Sequence, residues 1–131
     1  MKIVFFGVGA VCSVMATLLD ELSNKSKQKD INFVFVVRNI KKAQGHFFKN
    51  SNILNKSDFL EIKHFEEIFE DSKKYEKYLQ NSDIFINSST PSFNLPIMNL
   101  ALKYNTNYAD LASDIYKDEI LSTLKFDQQI L

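Results

Sequence analysis

Apolar residues along this chain come in short blocks set between charged, periodic stretches. The first block, Ile3-Val4-Phe5-Phe6, is unbroken and reads as a strand buried on both faces. Beyond it Val11, Val14, Met15, Leu18, Leu19 and Leu22 recur at helical spacing. They form one apolar face of a helix that ends near Ser23 and Asn24. A polar connector, 25–30, leads to a second apolar block at 31–37. Residues 40–50 read as a short helix and 51–58 as a polar turn. Residues 59–64 alternate, with Leu60 and Ile62 on one side and Glu61 and Lys63 on the other. Alternation of that kind suggests a sheet-edge strand with one face wet. Residues 65–79 read as one amphipathic helix. A strand follows at 83–87. A helix at 92–104 then has Asn94 as its cap and Pro96 in its first turn. Residues 107–111 form a fifth strand. Ala112, Ser113 and Asp114 open a last helix carrying Ile115, Ile120, Leu121 and Leu124.

Strand and helix alternate five times, which predicts an α/β fold: a doubly wound parallel sheet, Rossmann-like, in three α/β/α layers. The strand order 3-2-1-4-5 places the alternating strand at an edge, as its pattern requires. In such a sheet the ligand crevice lies between the C-terminal ends of strands 1 and 4. That brings Gly7, Val8 and Gly9 opposite residues 87–91. The chain has 131 residues, enough for one domain, and shows no repeat or internal boundary.

Strand, Gly7-x-Gly9, helix is the context of a dinucleotide-binding fingerprint. Gly7 allows a sharp turn, and Gly9 allows backbone to approach a pyrophosphate. The helix start, with Ala10 and Val11, aims N–H groups and the positive dipole end at the phosphates. Cys12 stands where the pattern has a third glycine, a position that sets how closely helix packs on strand. The same opening, Met1-Lys2 and an uncharged run from Ile3 to Leu19, also resembles a secretory signal peptide, with 14–16 as its cleavage site. Helical periodicity that continues past Asp20 and Glu21 to Leu22 favours the fold reading.

The second strand ends on Arg38 and Asn39, followed by Lys41 and Lys42. An acid at that tip would bind the 2′-hydroxyl of NAD, whereas an arginine accepts the 2′-phosphate of NADP. A guanidinium fork matches phosphate geometry. The sequence therefore points to NADP, with NAD second.

Sixteen basic and sixteen acidic residues cancel, so no basic surface for nucleic acid or an anionic membrane is expected. One cysteine excludes an internal disulfide and fits a reducing, cytoplasmic setting. His46 and His64 share no ligand spacing with Asp, Glu or Cys, so no metal is expected. Stacking of His64 on adenine at the end of strand three is the less favoured reading of that residue. Cys12 has no identified His or Lys partner and is read as a packing residue. Ser88, Ser89 and Thr90 lack a paired His and Asp, so no nucleophilic triad is supported.

Two segments together resemble the NADP-binding domain of the saccharopine dehydrogenase-like family, which includes saccharopine reductase and carboxynorspermidine dehydrogenase. One is the opening strand, glycine turn and helix with Arg38-Asn39 after strand two. The other is 83–104, an apolar strand, a small proline-bearing loop and a helix ending near a tyrosine, followed by Asn107-Tyr108-Ala109-Asp110. The resemblance implies NADP. It also implies that Ser88, Ser89, Thr90 and Pro91 lie along the nicotinamide half, with Asp110, Ala112 and Ser113 near the reacting end. No catalytic residue is assigned beyond Asp110 as a candidate. The family acts on amino acid or polyamine precursors by imine reduction or its reverse. Its members carry a second domain that binds the small-molecule substrate and makes a homodimer. Residues 1–131 are therefore expected to be the cofactor domain of a longer protein, inactive by themselves, with apolar surface left exposed around Ile97, Met98, Ile120, Leu121 and Leu124. The alternative is a stand-alone nucleotide-sensing module, which usually carries an acid where Arg38 stands.

Overall fold

Strands β1 (Lys2–Phe6), β2 (Asn32–Val37), β3 (Ser57–Glu61), β4 (Ile84–Asn87) and β5 (Asn107–Asp110) form one parallel sheet in the order β3-β2-β1-β4-β5. The computed structural model describes residues 1–27, 30–47 and 50–111. Phe5 lies beside Phe35 of β2 and Ile86 of β4 in this register. The expected sheet and strand order are those observed. The third strand starts two residues earlier than its alternation suggests and stops at Glu61.

Helices α1 (Ala10–Lys25), α2 (Ile40–Gly45) and α3 (Ser51–Asn55) cover one face. Helices α4 (Glu66–Glu70), α5 (Glu76–Leu79) and α6 (Asn94–Lys103) cover the other. Phenylalanine supplies the bulk of both layers. Phe5, Phe33, Phe35 and Phe47 are buried under the first set, and Phe6, Phe65 and Phe85 under the second. Close ring pairs such as Phe5–Phe35 and Phe6–Phe85, each 5.6 Å between centroids, tie neighbouring strands across the sheet.

The bulk of those rings decides how α1 sits. Its buried residues are Cys12, Ser13, Ala16, Asp20 and Ser23, all short side chains. The periodic apolar face is split: Val11, Val14, Leu18 and Leu22 are each more than half exposed, while Met15 and Leu19 pack half-buried against the core. Large rings on the strands favour small residues at the helix positions buried most deeply against them, because interiors fill to a fixed density. Asp20, buried in this layer, is neutralised by Lys56 Nζ at 2.6 Å. That contact raises the Lys56 pKa above its usual value.

Five local expectations need correction. Residues 51–55 are a helix rather than a turn, because Asn50 Oδ1 caps Ile53 N and Ile53 is fully buried. Helix 40–50 stops at Gly45. Residues 65–79 are not one helix: α4 ends at Glu70, a 3-10 turn runs Ser72–Tyr75, and α5 follows. The break is held from α6 and its cap. Lys103 Nζ donates to the buried Ser72 hydroxyl, and Tyr104 OH donates to the Ser72 carbonyl. Asn94 does not cap α6. It is the first residue of that helix, after a 3-10 turn at Pro91–Phe93, and its side chain points into the fold. Ile97, expected at an exposed face, is fully buried, while its neighbour Met98 is exposed. The expected last helix lies outside the described residues.

Candidate functional site

Above the C-terminal ends of β1, β2 and β4 lies a crevice of about 300 Å³. It is lined by Gly7, Val8 and Gly9, by Val37, Arg38, Asn39, Lys42 and Ala43, by Phe65, and by Ser88, Ser89 and Thr90. The position is the switch point of the doubly wound sheet, where crossovers leave in opposite directions.

The turn after β1 has two glycines with different duties. Gly7 has φ +93, and a Cβ built on it would lie 2.8 Å from Ser89 Cβ. Gly7 thus permits both the left-handed turn and the close approach of the loop after β4. Its amide donates to Val36 O at 2.8 Å, which extends the sheet ladder by one bond. A Cβ on Gly9 would meet nothing within 4 Å. The space beside Gly9 is open crevice, as a pyrophosphate requires. Gly9 is also the N-cap of α1, and neither a capping side chain nor a first-turn acid offsets the helix's positive end. A 16-residue helix aimed in this way favours an anion.

Arg38 lies at the crevice's β2 side. Its Cζ sits 5.7 Å from the centroid of the buried Phe65 ring, a cation–π contact that settles the guanidinium on an apolar floor. Among the described residues Arg38 forms no ion pair. Asn39 serves as the N-cap of α2, its Oδ1 accepting from Lys42 N at 3.0 Å. An acid does approach this corner from the next strand. Glu61 Oε2 accepts from Ile40 N at 3.1 Å, and so its carboxylate is spent on the start of α2.

Opposite, the loop after β4 is pinned to β1. Ser88 N donates to Phe6 O at 3.0 Å, and Ser88 Oγ donates to Gly7 O at 2.6 Å. Beneath it Cys12 is buried against the sheet. Burial pushes its thiol up to about 12, against weaker opposing pulls from the Ser88 hydroxyl and the Gly9 backbone. The thiol stays protonated, which suits a packing residue.

Ala10 and Val11 form the first turn of α1 and flank the crevice without lining it. Pro91 begins the 3-10 turn just beyond Thr90. Asp110 ends β5 in register with Asn87 and is exposed. It interacts with the Tyr108 hydroxyl, whose pKa is raised first by burial and then by this carboxylate. Ala112 and Ser113 lie outside the described residues. Sequence reasoning did not single out Val37, Ala43, Phe65 or Lys42. A basic residue four positions after Arg38 was a readable signal for Lys42; nothing local marked Phe65. Among the described residues no cluster of His, Cys, Asp or Glu could hold a metal, and no helix is long and apolar enough to cross a membrane.

Comparison with known proteins agrees with this geometry. Apo saccharopine dehydrogenase (L-Glu forming) from Saccharomyces cerevisiae superposes with a TM-score of 0.60 at 19% identity. The match covers 90% of this chain and 23% of that one, so the chain spans about a quarter of the enzyme's length. At that identity the likeness establishes the fold. No curated protein matches the sequence. The family model for the saccharopine dehydrogenase NADP-binding domain matches residues 3–128. A strand-glycine-helix turn, an arginine at the tip of β2 and a family-model match over nearly the whole chain meet in one conclusion: the chain belongs to the saccharopine dehydrogenase NADP-binding domain family.

Proposed function

We propose that the crevice holds NADP with its pyrophosphate over Gly9 and the start of α1. The 2′-phosphate goes to Arg38 and Lys42, and the nicotinamide half runs along Ser88, Ser89 and Thr90. The observation that carries this reading is Arg38: a guanidinium laid on Phe65, facing the crevice, with no ion-pair partner among the described residues. Glu61, an acid at the end of β3, is engaged by the α2 backbone and does not line the crevice. A 2′-phosphate supplies the charge that Arg38 lacks, with bidentate geometry.

The bound cofactor supplies hydride transfer at its nicotinamide ring, and the protein binds and orients it. The chain is then the cofactor half of an oxidoreductase that reduces an imine of an amino acid or polyamine precursor, or runs the reverse oxidation. Family membership supports that substrate class. Among the described residues the crevice contains no His, Tyr, Asp or Glu. Proton transfer and the second wall of a substrate pocket therefore come from elsewhere in the complete enzyme.

Fluorescence titration with NADPH and NADH tests the cofactor assignment. Wild type should prefer NADPH by at least about tenfold. Arg38→Asp should abolish the preference, since one charge-assisted contact contributes about 1.5–3 kcal/mol. Equal affinities in the wild type would overturn the role of Arg38.

A further inference from the structure

A buried polar network centred on Asn87 lies directly behind the crevice and reaches it only through Ser89 and Thr90. Asn87, the last residue of β4, is 2% exposed. Its Nδ2 donates to Thr90 O at 3.0 Å and to Asn94 Oδ1 at 2.6 Å. Its Oδ1 accepts from Ser89 N at 3.0 Å and from Ser89 Oγ at 2.7 Å. Both amide hydrogens and both lone pairs are thus used, the full capacity of the group. Three of the four bonds end on Ser89 and Thr90, within the loop. The fourth ends on Asn94, which also accepts from Tyr108 OH at 2.9 Å. Ser89 is the residue that presses against Gly7.

The geometry points to Asn87 as a positioning residue that sets the cofactor-facing shape of loop 88–90, with Asn94 and Tyr108 bracing it from α6 and β5. The inference rests on the reading that this crevice takes NADP. Two physical points support it. Ser88 ties only the start of the loop to β1; Ser89 is held through both its N–H and its hydroxyl by the Asn87 amide, which also donates to Thr90 O beside the Phe93 N–H at 3.2 Å. No other natural side chain of this size offers two donors and two acceptor lone pairs in one plane. Aspartate in its place would set a carboxylate oxygen against Thr90 O and Asn94 Oδ1, acceptor against acceptor. Positioning of this kind acts on whatever lies along the loop and leaves the Arg38 corner alone.

That asymmetry gives the test. Two probes would be titrated: NADPH, and adenosine 2′,5′-bisphosphate, which carries the adenosine half only. Asn87→Ala should weaken NADPH about tenfold or more while the bisphosphate changes less than about twofold. Tyr108→Phe, which removes one hydroxyl and keeps the ring, should show the same split at a few-fold size. It also serves as the measurement should Asn87→Ala fail to fold. Thermal melts of each variant establish that the folded state is being titrated. A parallel loss for both probes would make the network merely structural and overturn the inference. Unchanged NADPH affinity in Tyr108→Phe and in folded Asn87→Ala would overturn it as well. A wild type that binds neither probe would overturn the cofactor reading itself, a different result from one in which the variants bind as well as wild type.

Discussion

The turn after β1 keeps its shape by lacking side chains, whereas the loop after β4 keeps its shape by hydrogen-bonding the side chains it has. The first places Gly7 at φ +93 and Gly9 beside open space. The second places Ser88 on the β1 backbone and surrounds the Asn87 amide with Ser89, Thr90 and Asn94. The two meet where Gly7 and Ser89 touch. A glycine turn gives room but little rigidity, because glycine has the most freedom to lose on folding. A satisfied polar network gives rigidity and takes up volume. Opposed across one crevice, the two provide an open floor for an anion and a firm wall beside it.

The largest break should come from Gly7→Ala. The new methyl meets Ser89 Cβ at 2.8 Å and must adopt a positive φ. Left-handed strain and overpacking together predict a loss of about 2–4 kcal/mol in stability. For a chain of this length that lowers Tm by roughly 10 °C. Thermal denaturation checks it, and NADPH binding should fall with it. A Tm unchanged by the substitution would show that the two turns do not press together.

Gly9→Ala sharpens the contrast, since it should separate binding from stability. Its φ of −140 suits any residue, and its Cβ would meet no protein atom. Loss of a good N-cap residue and the lower freedom of the unfolded chain offset one another, leaving Tm within about 3 °C. The methyl would instead occupy the place of the pyrophosphate, and NADPH affinity should drop at least about tenfold. Titration and melting on the same sample decide it.

The site was partly legible. Gly7, Gly9, Arg38 and residues 88–90 announce themselves because each belongs to a short contiguous pattern at a strand end. Phe65 and the Asn87–Asn94–Tyr108 network do not, because their roles depend on contacts between elements far apart in sequence. Asn94 looked like a helix cap for the same reason. It sits just before a proline-bearing helical run, and only the fold brings Asn87 and Tyr108 to its oxygen. The strand order was legible, since apolar blocks and one alternating edge strand leave few arrangements. The break at Ser72 was not. It depends on Lys103 and Tyr104, some thirty residues away. The inward face of α1 was only half legible: Met15 and Leu19 of its periodic stripe pack on the core, but Cys12, Ser13 and Ala16 are buried more deeply beneath the rings of β1 and β2.

A last test, which changes no residue, addresses the base on which both turns rest. Cys12 lies under the Ser88 loop with its thiol held up at about 12 by burial. At pH 8 the native protein should react with a thiol reagent about a thousandfold more slowly than the urea-unfolded chain, whose thiol titrates near 8.5. Stopped reactions at fixed times measure both rates. Rates within tenfold of each other would mean that the seam between the turns opens readily.

The outward stripe on α1 has a calorimetric consequence. Val11, Val14, Leu18 and Leu22 already stand largely in water in the folded chain. Unfolding exposes little more of them, so these side chains add little to the heat-capacity increment and little to the denaturant slope, both of which scale with newly exposed surface. A chain with 45% hydrophobic residues would thus unfold with a flatter stability curve than its composition suggests. Any layer that later covers α1 would register as a gain in heat capacity of unfolding with no change in the sheet beneath.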